Sequence, residues 1–328
     1  MKDDEPPGRV LRDAVVLPGD VRPREGRAWL VGWHRTRGVL RSVPAPADPA
    51  VLARLTEELA WLHGFLDWLA ATGFPAPRPL RAFGGNSWTV AEGALWELVS
   101  FLPGQVVGWA DQPPMEDIGA LLGRYHQAVR QFEAPGQRPG ALPIAAVPAV
   151  LRPPRLRAAG VDPGRAAVIC ELAGELARDL AGAARLASPP VVVHGDFTNH
   201  NVLADGTPPR ITGVIDFAGA HVEAPVADIG YGLWRSGRPY QHADHLDLSR
   251  VRRFLRGYVS TAPIPADAPR LIPVYLYGRG LQMIAKRIRA GRPETGMLAQ
   301  VSWLSANAGA LADTCLLYTS DAADDLTR

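Results

Sequence analysis

Residues 191–220 read VVVHGDFTNHNVLADGTPPRITGVIDFAGA, and the interpretation of the whole chain starts from this stretch. Its opening valines are typical of a short buried strand, which ends just before Asp196. Asn201 follows in the same loop, and a second apolar strand ends on Asp216. The stretch therefore predicts two carboxylates and one amide at strand ends. Phosphoryl transfer uses such a set, with one carboxylate to orient an attacking hydroxyl and an amide and a carboxylate to hold a metal ion.

The composition indicates a globular protein without a bulk attraction to nucleic acid or membranes. At 328 residues and 47% hydrophobic content, the chain is long enough for two domains or lobes with a sizeable core. The formal net charge is only +2, so charge gives no argument for a nucleic-acid or membrane partner. Of the 35 basic residues only Lys2 and Lys286 are lysines, which we attribute to a GC-rich genome rather than to anion binding.

Cysteine usage and the chain ends favour a cytoplasmic protein. Cys170 and Cys315 are too few for a disulfide framework, and the N-terminal residues lack a signal-peptide pattern. No uncharged apolar run is long enough to span a bilayer. The final segment, 315–328, begins CLLYTSDAAD, which resembles a transposase-type sequencing adapter read as protein. We predict that this tail is not part of the fold; a natural tail is the alternative.

Apolar periodicity divides the chain into two parts with different secondary structure. Up to about residue 102 it predicts strands over 28–33, 38–43, 80–83 and 95–101 and a helix over 50–71. Further along it predicts helices over 115–132, 165–187, 226–235, 247–260 and 268–290. The Pro- and Gly-rich segment 133–164 is typical of a lid or a flexible insert. We therefore predict an α+β fold, with a small sheet-plus-helix lobe over 1–102 and a larger, mainly helical lobe over 103–314.

Two motifs resemble a known superfamily. HGDFTNHN at 194–201, followed by GVIDFAGA at 213–220, is similar to the aminoglycoside phosphotransferase and choline kinase superfamily, whose fold is two-lobed and protein-kinase-like. VLR in the hairpin, GFPAPRPL after the first long helix, WELVSFLPG and IGALLGRYHQAV are supporting matches. The similarity extends over residues 20–290. It implies a kinase that phosphorylates a hydroxyl group of a small molecule, with ATP as the phosphate donor and Mg²⁺ as cofactor.

The resemblance also implies roles for individual residues of the two motifs. Asp196 matches the residue that accepts or orients the proton of the acceptor hydroxyl. Asn201 and Asp216 match the Mg²⁺ ligands, and both supply the hard oxygen atoms that this ion prefers. Asp228 matches a residue that steadies the catalytic loop. His194 is interpreted as ordering that loop rather than transferring protons.

The nucleotide site is predicted from the first lobe. Kinases place a strand lysine against the phosphates, and Arg41 stands at the matching position, where its guanidinium fork suits phosphate oxygens. Its expected helix partner is Glu58, with Glu57 as the alternative. Glu97 and Ser100, in WELVS, match the connection between the lobes, whose backbone groups would bind the adenine edge.

Two features keep other functions open. A glycine-rich phosphate loop is expected between the first strands, but only Gly19 and Gly26 are available, without a G-x-G cluster. A nucleotide-binding regulatory protein without turnover is therefore one alternative. His194 and His200 beside aspartates suggest a metal-dependent hydrolase as another, although the loop lacks HxH or HxxxH spacing.

The acceptor is predicted to be a small molecule such as an amino alcohol, a sugar or an aminoglycoside. Its site should be built from residues 133–164 and the helices after residue 224. Acidic candidates for an amine-bearing acceptor are Glu223, Asp244 and Asp247. The last helices are basic, and we interpret their positive residues, including Arg279 and Lys286, as a solvated face.

Overall fold

A computed structural model describes most of the chain, namely residues 6, 8–13, 22–23, 27–108, 114–183, 188–240, 243, 245–264, 268–293 and 296–313. The chain divides into two compact units. Unit 1 runs to Gln105 and also contains Arg138–Gly140 and Thr212–Ile215, while unit 2 contains the remainder. The predictions that concern Gly19, Gly26, Asp244 and the tail 315–328 fall outside the described residues.

Unit 1 is built on a five-stranded antiparallel sheet with the strand order β1-β2-β3-β5-β4. Its elements are α1 (Gly8–Asp13), β1 (Arg22–Pro23), β2 (Ala28–Trp33), β3 (Thr36–Pro44), α2 (Pro49–Ala71), β4 (Trp88–Ala91) and β5 (Ala94–Ser100). The predicted hairpin and long helix are confirmed. The strand predicted over 80–83 is wrong, because Phe83 makes only an isolated bridge to Asn86. Instead the short strand β4 forms the edge of the sheet.

Helix α2 has the end signals that its sequence predicts. The side chain of Asp48 accepts a hydrogen bond from the Ala50 N–H, and Pro49 occupies the first turn, where no N–H is needed. Gly73, just after the helix, adopts φ +79°, a left-handed conformation that favours glycine. One face of the helix is buried through residues at helical spacing, namely Leu62, Phe65, Leu66 and Leu69.

The remaining elements are mainly helices. They are β6 (Gln105–Val106), α3 (Met115–Val129), α4 (Val147–Val150), α5 (Pro153–Ala158), α6 (Pro163–Ala183), β7 (Val191–Val193), β8 (Val202–Asp205), β9 (Arg210–Val214), β10 (His221–Glu223), α7 (Val226–Ser236), α8 (Leu248–Val259), α9 (Ala268–Arg289) and α10 (Leu298–Ala306). The predicted α+β class is thus confirmed. The segment 133–164, predicted to be a lid or a flexible insert, contains two short helices with buried side chains.

Helices α3 and α8 pack closely because glycine lies at their contact. A Cβ atom on Gly257 would lie 1.9 Å from the backbone oxygen of Glu116, and one on Gly119 would lie 2.0 Å from a backbone oxygen of α8. This close approach brings His126 of α3 to Tyr258 of α8, whose hydroxyl lies 2.8 Å from His126 Nδ1. Among the described residues, none of the helices has the length and apolar character that crossing a membrane requires.

Candidate active site

The predicted catalytic loop follows β7 in unit 2. Strand β7 pairs with β10 in an antiparallel register that places Val193 opposite His221. Gly195 in the loop adopts φ +72°, and a Cβ atom there would lie 2.1 Å from the backbone oxygen of Gly219. Only glycine therefore fits at this position. The close approach packs the loop against the 3₁₀ turn that follows Asp216.

A single buried carboxylate holds the start of this loop. Asp228 of α7 is 1% exposed, and its Oδ2 accepts a hydrogen bond from the His194 N–H at 2.6 Å. Its Oδ1 accepts from the Gly195 N–H at 2.8 Å, and His126 Nε2 lies 3.4 Å from Oδ2. Burial by itself raises the pKa of Asp228, but the hydrogen bond and charge of His126, together with His194 and the Gly195 N–H, lower it overall. The group is therefore held as a carboxylate.

Asp196 and Asn201 are brought together within the loop. The Asn201 Nδ2 group donates to the Asp196 backbone oxygen at 2.9 Å and to Asp196 Oδ2 at 3.1 Å. The Asp196 N–H donates to His194 Nδ1 at 3.2 Å. His194 is fully buried and its ring packs on Phe217, with the centroids 4.4 Å apart. These contacts fix the Asp196 carboxylate, which remains 35% exposed.

The predicted metal ligands supply a suitable donor set. Since Asn201 uses its Nδ2 group toward Asp196, its Oδ1 is the atom able to ligate a cation. Asp216 adopts a left-handed conformation with φ 62° and ψ 64°, which aspartate tolerates better than most residues and which is often found at functional sites. The part of the chain that the structure describes gathers no cluster of three or more His, Cys, Asp or Glu residues for a metal. One amide and one carboxylate fit a Mg²⁺ ion whose other ligands are phosphate and water.

Arg279 of α9 is a site residue that the sequence interpretation missed. Its Nη2 lies 4.0 Å from Asp196 Oδ1, and its guanidinium lies 3.9 Å from the centre of the Tyr231 ring. The interpretation of the basic residues as a solvated face holds for Lys286 and Arg289, which are exposed, but is wrong for Arg279, whose side chain is 6% exposed. Burial raises the pKa of Tyr231, and the Asp196 charge adds to that rise while Arg279 opposes it. The apolar residues around Arg279, in YGRGLQMIA, were the signal in the sequence that this arginine is buried.

A pocket adjoins the catalytic loop within unit 2. Its wall includes Gly195, His221, Glu223, Tyr231, Arg279 and Gln282. Glu223 Oε1 accepts a hydrogen bond from the Ile144 N–H at 2.7 Å, and Oε2 lies 2.8 Å from His221 Nε2. His221 Nδ1 in turn lies 2.8 Å from the Gly219 oxygen. Both ring nitrogens of His221 therefore face oxygen atoms, and Glu223 is held between His221 and the Ile144 N–H.

The acidic residues that were predicted to bind an amine-bearing acceptor lie in different environments. Glu223 lines the pocket, as just described. Asp247 instead caps α8, where its side chain accepts a hydrogen bond from the Ser249 N–H at 2.8 Å. That bond satisfies a helix-terminal donor and gives Asp247 a structural role.

In unit 1 the candidate phosphate-binding cation is held by a strand carboxylate. Arg41 of β3 lies directly opposite Glu97 of β5, and its Nε is 3.5 Å from Glu97 Oε1. Glu97 Oε2 lies 2.9 Å from His63 Nε2, and His63 Nδ1 lies 2.7 Å from Ser87 Oγ. Burial by itself raises the pKa of Glu97, but His63 and Arg41 lower it overall. Sequence reasoning did not identify His63 as part of this group.

Glu58 has other partners than the one expected. Its carboxylate lies 3.7 Å from Arg54 Nε and 3.5 Å from Arg138 Nη2. In place of the expected pair with Glu58, Arg41 meets Glu97 across the sheet, because strand register makes them nearest neighbours. Glu57 is exposed.

Ser100 and Glu97 lie inside β5 rather than in a connection after it. The Ser100 N–H donates to the Arg78 oxygen at 2.7 Å, and its Oγ accepts from the Arg78 N–H at 2.8 Å. The Phe101 N–H donates to the Arg37 oxygen at 3.0 Å. The backbone N–H groups of Ser100 and Phe101 are therefore already used in hydrogen bonds. Glu97 instead makes its contacts to Arg41 and His63 through its side chain.

Comparisons with known proteins identify the family and the fold. A model of the phosphotransferase enzyme family matches residues 20–264. Homoserine kinases from Beijerinckia indica and Methylocella silvestris are each 28% identical to this chain, covering 78% and 77% of it and 73% and 72% of their own lengths. In structure the chain resembles the amicoumacin kinase hAmiN, with a TM-score of 0.62, 16% identity and 94% of each chain covered. It also resembles a microcompartment-associated aminopropanol kinase, with a TM-score of 0.63, 18% identity, and 96% and 97% covered.

The fold and the site thus define a small-molecule kinase with the protein-kinase-like fold. The chain belongs to the phosphotransferase enzyme family. The superfamily and the fold class predicted from the two motifs are confirmed.

Proposed function

We propose that the protein transfers the γ-phosphoryl group of ATP to a hydroxyl group of a small molecule in a Mg²⁺-dependent reaction. The observation that carries this proposal is the fixed Asp196 carboxylate, held by Asn201 and by a loop that Asp228 braces. A carboxylate that is held in place by hydrogen bonds can orient an attacking hydroxyl. Homoserine is the first acceptor to test, because the curated relatives are named as homoserine kinases.

In the proposed reaction the acceptor hydroxyl donates its hydrogen bond to Asp196. The hydroxyl oxygen forms a bond to the γ-phosphorus, the bond to the bridging oxygen of ADP breaks, and the hydroxyl proton passes to the Asp196 carboxylate. Asn201 and Asp216 would hold Mg²⁺, which when bound neutralises charge on the phosphate oxygens. Arg41, oriented by Glu97, would contact phosphate through its guanidinium. Most of the catalytic effect would then come from positioning and charge neutralisation.

The test is ADP release in the presence of homoserine, amino alcohols, sugars and aminoglycosides, with Asp196→Ala as the matched variant. We expect wild type to turn over at least one acceptor and Asp196→Ala to lose transfer by at least about 10²-fold, the size typical of a general base. Nucleotide binding, followed as a rise in melting temperature, should persist in the variant. Undiminished transfer by Asp196→Ala would contradict the assigned role.

Two other outcomes would point to the alternative functions. Stabilisation by ATP without transfer to any acceptor would favour a nucleotide-binding regulatory protein. Hydrolysis of a phosphate ester without ATP would favour a metal-dependent hydrolase. In the described part of the chain, His194 is used in packing and in a hydrogen bond to the loop, which gives the hydrolase little support.

A further inference from the structure

The pocket beside the predicted catalytic loop contains a buried cation, Arg279, which hydrogen-bonds with Tyr231 and Gln282 but has one unsatisfied donor among the described residues. Arg279 is 5% exposed, and its Nη1 donates to Gln282 Oε1. Its Nη2 lies 4.0 Å from Asp196 Oδ1, beyond hydrogen-bond distance. Its Nε is buried and has no hydrogen-bond partner among the residues that the structure describes.

These contacts leave one particular edge of the guanidinium group available. The group has five N–H donors in a planar fork, and the Nε and Nη2 donors form an edge that matches the two oxygens of a carboxylate. The ring of Tyr231 covers one face of the plane, and Gln282 takes the Nη1 side. A buried charge with unsatisfied donors is costly, so an acceptor group bound in this pocket would be strongly favoured.

The short distance to Asp196 limits the size of what binds. A hydroxyl that donates to Asp196 and a carboxylate on Arg279 would each lie about 2.7–2.9 Å from their partners. Because Arg279 Nη2 and Asp196 Oδ1 are 4.0 Å apart, one short molecule with a few bonds between its hydroxyl and its carboxylate can reach both. Glu223, in the same pocket wall, keeps carboxylate lone pairs that could receive an ammonium group.

We propose that Arg279 binds a carboxylate of the acceptor through its Nε and Nη2 donors, so that the substrate is a short hydroxy acid rather than a carboxylate-free amino alcohol or a polycationic aminoglycoside. This inference rests on the proposed function and assigns Arg279 as its specificity-determining residue. The two motifs that carry the family resemblance do not contain this residue.

The test compares two acceptors that differ only in the carboxylate, homoserine and 3-aminopropan-1-ol. Both have a primary hydroxyl and an ammonium group at the same spacing. A site that hydrogen-bonds a substrate group discriminates strongly against the analogue without it, so we expect wild type to prefer homoserine in kcat/KM by at least about 100-fold. In Arg279→Met the ratio of the two kcat/KM values should fall to near one, through a higher KM for homoserine. Arg279→Lys should retain part of the preference, because it keeps the charge but loses the fork.

Arg289→Met is the matched control, since Arg289 is an exposed residue of the same helix, and its ratio should equal that of wild type. Equal kcat/KM values for the two acceptors in wild type would overturn the inference. So would an Arg279→Met variant that loses both activities equally through kcat, because Arg279 would then act by positioning Asp196. If circular dichroism shows that neither Arg279 variant folds, the wild-type comparison decides alone.

A binding measurement separates this inference from the proposed function. With wild-type protein, homoserine should raise the melting temperature and 3-aminopropan-1-ol at the same concentration should not. That result without any phosphate transfer would support the carboxylate pocket while contradicting the kinase proposal. Transfer to an aminoglycoside or a sugar, with no homoserine binding or turnover, would support the kinase and overturn the role of Arg279.

Discussion

Replacing Asp228 by asparagine should loosen the catalytic loop without changing the size of the side chain. The carboxylate accepts two backbone N–H groups through different oxygens, from His194 and Gly195, and it is 1% exposed. Asparagine has one acceptor oxygen, so one of these N–H groups would face an NH₂ group. A buried donor left unsatisfied costs about 1–3 kcal/mol, and the other bond loses its charge assistance, about 1 kcal/mol more. We therefore expect the free energy of unfolding to fall by about 2–4 kcal/mol.

The assay is urea unfolding followed by tryptophan fluorescence, with Asp205→Asn as control. Asp205 is exposed in the hairpin after the loop, so its substitution should change stability by less than about 0.5 kcal/mol. Activity gives a second measurement, because a shift of about 1 Å in Asp196 can lower the rate about 100-fold. We expect kcat of the Asp228→Asn variant to fall by at least about tenfold. An Asp228→Asn variant as stable and as active as wild type would refute the role of Asp228 in holding the loop.

The pH dependence tests the same carboxylate independently. Burial, the largest single effect, raises the pKa of Asp228, but His126, His194 and the Gly195 N–H together lower it in the folded protein. A group with a lowered folded pKa contributes stability above its unfolded pKa, about 3.9, and loses it as the pH falls through the folded pKa. The difference in stability between wild type and Asp228→Asn should therefore be constant between pH 7 and about pH 5.5 and shrink below about pH 4. A difference that stays constant down to pH 3 would contradict the electrostatic origin of the effect.

Two further substitutions test the loop glycine Gly195 and the proposed phosphate-binding cation Arg41. Gly195→Ala should destabilise the protein more than Gly206→Ala, because a Cβ atom at the first position would lie 2.1 Å from the Gly219 oxygen, whereas the nearest atom at the second is 3.6 Å away. Both have positive φ, a shared cost of about 1–2 kcal/mol, so equal losses in urea unfolding would contradict the steric argument. Arg41→Met should raise the KM for ATP about 10–100-fold, since a charge-assisted contact contributes about 1.5–3 kcal/mol. Arg54→Met, the exposed control, should leave the KM for ATP unchanged.

The sequence predicted those parts of the molecule whose signals are local. Apolar periodicity identified α2 and α3, and the five-residue spacing from Asp196 to Asn201 suffices for their observed contact, because both lie in one loop. The partner of Arg41 could not be predicted in this way. It depends on the register of β3 against β5, which is set by the packing of the whole sheet. From the sequence alone, a glutamate of α2 was an equally suitable partner for Arg41.

Arg279 shows the same limit for the acceptor pocket. It lies 83 positions from Asp196 in the chain, and nothing in the spacing of either residue indicates that they meet. In helix α9 it is flanked by apolar residues, so a helical phase assignment would have placed it on the buried face. A buried arginine is rare unless paired, and its presence there was the physical signal of a site. Interpreting all basic residues of the last helices as one solvated face obscured that signal.

Helix α7 supports both the catalytic loop and the acceptor pocket. Asp228 and Tyr231 lie three residues apart and therefore on the same face of the helix. The first holds the backbone that leads to Asp196, and the second packs its ring against Arg279. One helix therefore contacts both the backbone that leads to Asp196 and the Arg279 guanidinium. Preorganisation of this kind would favour positional catalysis, since the site would then select among acceptors by their length and charge.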